Sequence, residues 1–136
     1  MALAWGLLCA ACTTTNVTPV DAARHRLGDV CIERNPRVHV AALVPAVRDA
    51  FRRHRVTTLM REPGELADCE YVLRYRAERR GTPAYTKSAT LELTHGNEPI
   101  GRVEYAHRGG LAITKYARTA DKLDPLIDRL LEGQRR

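Results

Sequence analysis

Apolar and polar side chains alternate most clearly over residues 69–78. Cys69, Tyr71, Leu73, Tyr75 and Ala77 occupy one phase, and Glu70, Val72, Arg74, Arg76 and Glu78 the other. A period of two marks a strand with one face buried and one wet. Residues 85–94 repeat the pattern, with Tyr85, Lys87, Ala89, Leu91 and Leu93 set against Thr86, Ser88, Thr90, Glu92 and Thr94. Residues 100–107 repeat it again, with Val103 and Tyr105 opposite Arg102 and Glu104. The turn sequences Arg80-Gly81-Thr82-Pro83 and His95-Gly96-Asn97-Glu98 separate these runs, so they form an antiparallel meander. Two shorter β-rich runs come first, residues 29–33 and 55–60. Asn35-Pro36 ends the first of them, because a residue before proline is biased away from the helical region.

Two segments carry a helical period instead. In residues 38–54, Val44, Val47 and Phe51 recur at i, i+3 and i+7, and Pro45 places the regular start near Leu43. Residues 117–132 put Ala120, Leu123, Ile127 and Leu130 on one face. Pro125 interrupts that segment, which predicts either a kink or a restart with Asp124 as N-cap. The order is therefore β-α-β-β-β-β-α. Two amphipathic helices and a one-sided sheet predict an α+β two-layer sandwich, both helices on one face of a mixed, mainly antiparallel sheet. A β-α-β unit within one sheet is parallel and right-handed. The sheet's second face, with Arg74, Arg76, Thr86, Ser88, Thr90, Glu92, Arg102 and Glu104, is left open. Six of these, Arg74, Arg76, Thr90, Glu92, Arg102 and Glu104, form the candidate partner face.

The first residues match none of these patterns. Residues 1–12 are apolar or small, and the first charged side chain is Asp21. A helix of that length reaches about 18 Å, short of a bilayer core of about 30 Å, but it suits a secretory leader. Leu8-Cys9-Ala10-Ala11-Cys12 is similar to a bacterial lipobox, with Cys12 as the lipid-modified residue. It departs from the usual pattern in placing Cys9 three residues before Cys12 and in lacking a basic segment ahead. The expected division is a leader over 1–12, a tether and approach segment over 13–28, and one domain over 29–136. Residues 13–20, small and polar with one proline, are read as tether. A buried apolar N-terminal segment of a cytosolic domain is the competing reading.

The cysteines then bear on compartment. Cys31 and Cys69 remain once the leader is set aside, in neither a CxxC nor a Cys/His metal spacing. Export favours a disulfide between them, worth about 3–4 kcal/mol by loop entropy. A reducing cytosol would leave two buried thiols.

The chain has 136 residues, 28% charged and 44% hydrophobic, as expected for a single globular domain. Its net charge of +6 raises nucleic-acid binding. However, 19 of its 22 basic residues are Arg and they are scattered, with no helix-turn-helix, zinc finger or aromatic RNA platform. No nucleic acid is expected as partner. No HExxH, Walker loop, GxSxG or GxGxxG is present, so no catalytic residues, metal or cofactor are assigned. Weaker candidates are His95 with His107 across one hairpin, the Glu62, Glu65, Asp68 and Glu70 group, and an anion nest at Gly109-Gly110.

Several stretches together carry a family resemblance. They are Cys31-Ile32-Glu33-Arg34-Asn35-Pro36-Arg37-Val38, Asp68-Cys69-Glu70-Tyr71-Val72-Leu73-Arg74-Tyr75, residues 101–105, Gly109-Gly110-Leu111 and Asp124-Pro125-Leu126-Ile127-Asp128. Across residues 29–131 this resembles the Sbal-type family of bacterial lipoproteins. The resemblance implies a small exported α+β domain without an established activity, and pairs Cys31 with Cys69. At fold level the strand and helix order is similar to the N-terminal domain of TolB. The expected function is a non-enzymatic envelope lipoprotein, a partner-binding or accessory module on the periplasmic side of the outer membrane or free in the periplasm. It would be held by a lipid on Cys12 and bind an envelope protein or an anionic envelope polymer. A soluble periplasmic enzyme is the alternative, and a cytosolic nucleic-acid binder ranks third.

Overall fold

The structure is a computed structural model that describes residues 12–80, 85–108 and 118–134. Among these residues, six strands and two helices follow in the order β1 (Cys12–Thr18), β2 (Asp29–Glu33), α1 (Leu43–Arg53), β3 (Thr57–Arg61), β4 (Tyr71–Arg80), β5 (Tyr85–His95), β6 (Glu98–Arg108) and α2 (Thr119–Leu130). The strands form one sheet, ordered β1-β6-β5-β4-β2-β3. Strand β2 runs parallel to both β3 and β4, while β4, β5 and β6 form the antiparallel meander. The fold is the α+β sandwich that the periodicities require, with one strand more than they indicated.

The extra strand corrects the tether. Residues 12–18 pair antiparallel with β6 along their whole length, from Cys12 opposite Arg108 to Thr18 opposite Arg102. Thr13, Thr14 and Thr15 are exposed. Threonine favours a strand, and an edge strand needs no alternation when its side chains meet water rather than a core. Val17 is the residue of β1 that packs against the core. The chain then turns at Val20, whose N–H donates to the Leu130 carbonyl at the end of α2. Gly101 makes room for this turn: a Cβ there would lie 2.8 Å from both Val20 Cγ2 and Leu130 Cδ1.

Both helices cover the same sheet face. Leu43, Val47 and Phe51 of α1 and Leu123, Ile127 and Leu130 of α2 are all almost wholly buried, in one cluster with Val30, Ile32, Leu73, Leu91 and Val103 of the sheet. Helix α1 starts at Leu43, as Pro45 dictates, and ends in a Schellman motif. The Val56 N–H reaches the Phe51 carbonyl and the Arg55 N–H the Arg52 carbonyl. The left-handed position of that motif, at φ 61°, belongs to Arg55 rather than to the usual glycine. Helix α2 runs unbroken through Pro125, so the restart at Asp124 does not occur. Its start is at Thr119 with Arg118 as N-cap. The Thr119 hydroxyl bonds Thr86 at 3.2 Å rather than capping the helix.

That contact corrects a second expectation. The β4–β5 register shifts between Glu78 and Arg79, so Glu78 faces Ser88 but Arg79 faces Thr86. One extra residue on one strand of a pair reverses the side-chain phase beyond it. Thr86 therefore turns from the open face to the helix layer, where it is buried.

Candidate functional site

The open face of the sheet carries the charged positions. Register aligns Arg74 with Glu92 and Glu92 with Arg102, while Thr90 sits between Arg76 and Glu104. Arg102 bonds Glu104 at 2.6 Å and Glu92 at 2.7 Å, and Arg74 bonds Glu33 at 2.6 Å. The Glu104 hydrogen bond, with Glu92 beside it, pushes the Arg102 pKa up. Ion pairs this exposed contribute little to stability but hold the side chains in place.

Five of the six expected partner-face residues, Arg74, Arg76, Thr90, Glu92 and Arg102, line one open cavity of about 900 Å³. Glu104 is not among its lining residues and lies next to it, bound to Arg102. Arg34, Asn35 and Arg37 supply a wall that the strand periodicity did not reveal. They follow β2, and Tyr75 fastens them: its hydroxyl accepts the Asn35 N–H at 3.0 Å, and its carbonyl accepts from Asn35 Nδ2 at 3.0 Å. Asn35-Pro36 was legible as a turn, but its position over the sheet depends on a residue 40 positions away. The lining holds five arginines against three glutamates, a positive balance. Arg34 pairs with Glu62 at 2.8 Å. Among the described residues, Arg37 and Arg76 have no ion pair or side-chain hydrogen bond, so their guanidinium groups remain available.

Cys31 and Cys69 form a disulfide with Cα atoms 6.1 Å apart. Cys31 lies on β2 between Val30 and Ile32, which enter the helix-side core, so the bridge sits on the opposite side of the sheet. It ties the segment leading into β4 to β2. The carboxylates near Cys69 do not act together. Glu62 bonds Arg34, Asp68 approaches Arg61 at 3.8 Å, and Glu70 approaches His95 at 3.3 Å.

The histidines also separate. His95 pairs with Glu98 at the turn of the β5–β6 hairpin, while His107 pairs with Thr13 at the far end of β6. The two sit at opposite ends of the β5–β6 hairpin, so they cannot share a metal. No group of three or more metal-ligating side chains occurs among the described residues. His95 instead packs beside Tyr71 and His25, with ring centroids 4.9 and 5.1 Å away. Gly109-Gly110 and the leader with Cys9 lie outside the described residues.

A further polar cluster joins the helices. His54 Nε2 lies 2.7 Å from Asp128 Oδ1, and Arg53 reaches both Asp124 and Asp128 at 3.1 Å. His54 Nδ1 is buried and has no hydrogen-bond partner among the described residues. Partial burial pushes the Asp128 pKa up, but the hydrogen bonds from His54 and Arg53 and their charges outweigh it and hold the carboxyl below its ordinary 3.8. A carboxyl depressed in the folded state stabilises above its unfolded pKa, and that contribution disappears as pH falls through the folded value. Asp128→Asn should therefore flatten the loss of stability as pH falls below the ordinary carboxyl value of 3.8, read as urea midpoints across the acid range. Equal acid slopes for the two proteins would rule this out.

No helix among the described residues is long and apolar enough to cross a membrane. No protein-family model and no curated protein matches the chain. Among solved structures, it is similar to a PelC dodecamer from Paraburkholderia phytofirmans, with TM-score 0.52 and 17% identity over 83% of this chain and 97% of that one. That structure is a single-residue variant. A second PelC dodecamer from the same organism gives TM-score 0.51 and 17% identity, over 85% and 97%. At that identity the likeness is one of fold.

Proposed function

We propose that this chain is a non-enzymatic envelope lipoprotein, acylated at Cys12, whose open sheet face binds an anionic envelope component. The observation that carries the reading is the broad cavity on that face, with Arg37 and Arg76 uncommitted and arginines outnumbering glutamates along its lining. The Cys31–Cys69 disulfide supports an oxidising compartment. The resemblance to the Sbal-type lipoproteins implies export, and Thr13 directly after Cys12 favours sorting to the periplasmic side of the outer membrane.

The test has two parts. Intact mass of the protein from its native membrane fraction should show removal of residues 1–11 and a lipid on Cys12. Crosslinking in envelope fractions should then recover one consistent partner, and Arg37→Glu/Arg76→Glu should reduce that recovery about tenfold or more. Both side chains are exposed and outside the core, so far-ultraviolet circular dichroism of the double variant should match the parent. An unprocessed chain, or recovery of nucleic acid in place of an envelope component, would overturn the reading.

Self-assembly is a second reading. Among the described residues the sheet ends in two unpaired edges, β1 and β3, and β3 carries Leu59, the exposed large hydrophobic residue of the described chain. Exposed strand edges invite pairing with another copy, and the two PelC neighbours are dodecamers. Light scattering on the purified chain distinguishes a ring from a monomer.

A further inference from the structure

Strand β1 places Cys12 at one end of the sheet, opposite Arg108, with no intervening spacer. That end is also where β4 finishes and β5 begins, with Arg79 opposite Thr86 and Arg80 opposite Tyr85. Arg118, the N-cap of α2, shares a cavity with Arg79 and Thr86, so it belongs to the same end. Along the β4–β5 connection the charges are one-sided. From Arg79 to Leu91 the sequence holds Arg79, Arg80 and Lys87 and no carboxylate. Arg79 and Arg80 are both exposed, and Lys87 is partly so. Glu78 precedes the pair, and Asp49, Asp121 and Asp124 line the cavity shared by Arg79 and Arg118, but each of these three is already matched by an arginine: Asp49 by Arg52 at 3.3 Å, Asp121 by Arg118 at 3.3 Å and Asp124 by Arg53 at 3.1 Å. The opposite end of the sheet is mixed: Asp29, Glu70 and Glu98 lie there beside Arg24 and Arg26.

We propose that the end of the sheet carrying Cys12, Arg79, Arg80, Lys87 and Arg108 docks directly on the anionic phospholipid surface of the membrane. The proposal rests on the reading of Cys12 as the acylated residue for its geometry, because a lipid there has no tether and brings this end against the headgroups. The charge argument is independent of the lipid. A basic side chain near an anionic bilayer contributes about 1 kcal/mol, attenuated over a Debye length. An acyl anchor and a polybasic patch together give stable attachment where either alone is weaker. Docking by this end also fixes orientation. The strands then stand away from the bilayer, and the cavity lined by Arg37 and Arg76 faces sideways and stays accessible.

The test uses the full chain carrying Cys12→Ser, which removes acylation, in sedimentation with vesicles. Residues 1–20 hold no charged side chain, so the leader contributes apolar affinity without a preference for lipid charge. Partition into vesicles with about one-third phosphatidylglycerol should exceed partition into pure phosphatidylcholine by about tenfold or more at low salt, and fall with added salt. Arg79→Gln/Arg80→Gln should lose most of that preference, while Arg24→Gln/Arg26→Gln at the other end should keep it. Equal partition into both vesicle types, or equal loss from the two double variants, overturns the proposal. The intact-mass measurement separates the two claims. An unacylated native protein with an intact charge preference overturns the lipoprotein reading and leaves the docking surface standing. An acylated protein without charge preference does the reverse.

Discussion

Replacing both Cys31 and Cys69 with alanine should lower the unfolding free energy by about 3–4 kcal/mol, measured as a urea midpoint shift at constant m-value. The estimate comes from the loop that the bridge closes, with a sequence separation of 38. Its place in the fold explains why the loss should be concentrated locally. Strand β2 meets β4 over just two aligned positions, Cys31 with Val72 and Ile32 with Leu73, whereas β4 meets β5 over ten. The sheet is thus two well-paired blocks, β3-β2 and β4-β5-β6-β1, joined by a short parallel ladder. The disulfide sits at that ladder and fastens the segment that crosses from β3 to β4. Hydrogen exchange of the variant should accelerate first at β2 and β3, with the meander still protected. A shift below about 1 kcal/mol, or uniform acceleration, would mean the blocks hold together without the bridge.

Phe51→Ala should cost about 3–5 kcal/mol, the range for truncating a buried aromatic ring. Phe51 is fully buried in the last turn of α1, in one cluster with α2 and the sheet. Its carbonyl also accepts the Val56 N–H that closes the helix. The lost volume therefore opens a cavity where the helix end is already constrained by the left-handed Arg55, and the site has little freedom to collapse. Leu59→Ala provides the contrast. Leu59 is 40% exposed on edge strand β3, so its truncation should stay within about 0.5 kcal/mol, as for most surface changes. Thermal or urea unfolding of the pair checks both, and comparable losses would place the core elsewhere.

The two effects follow different routes to legibility. Phe51 was readable from the chain, since i, i+3, i+7 spacing with Val44 and Val47 requires a buried stripe once the segment is a helix. The stripe was slightly misplaced: Val44 is half-buried, and Leu43 takes the fully buried position. The bridge was readable only as a choice between two compartments, because the distance between Cys31 and Cys69 depends on how β4 returns beside β2. The candidate site divides the same way. Arg74, Arg76, Thr90, Glu92 and Arg102 share a face by strand alternation alone. Arg34, Asn35 and Arg37 join them through Tyr75, a contact with no period in the sequence.

Local alternation determined that this chain has a one-sided meander and two amphipathic helices, and hence an α+β sandwich with a charged open face. It could do so because side-chain phase is set by neighbours one to four residues away. The tertiary structure alone decided what became of segments without a strong phase. Residues 12–18 became a strand because β6 presented an unpaired edge, not because their own pattern demanded it. Thr86 changed faces because one extra residue entered the β4–β5 ladder. Residues 34–37 became a wall of the cavity because Tyr75 met them there. Hydrogen-bonding partners distant in sequence set each of these outcomes, and local periodicity carries no information about such partners.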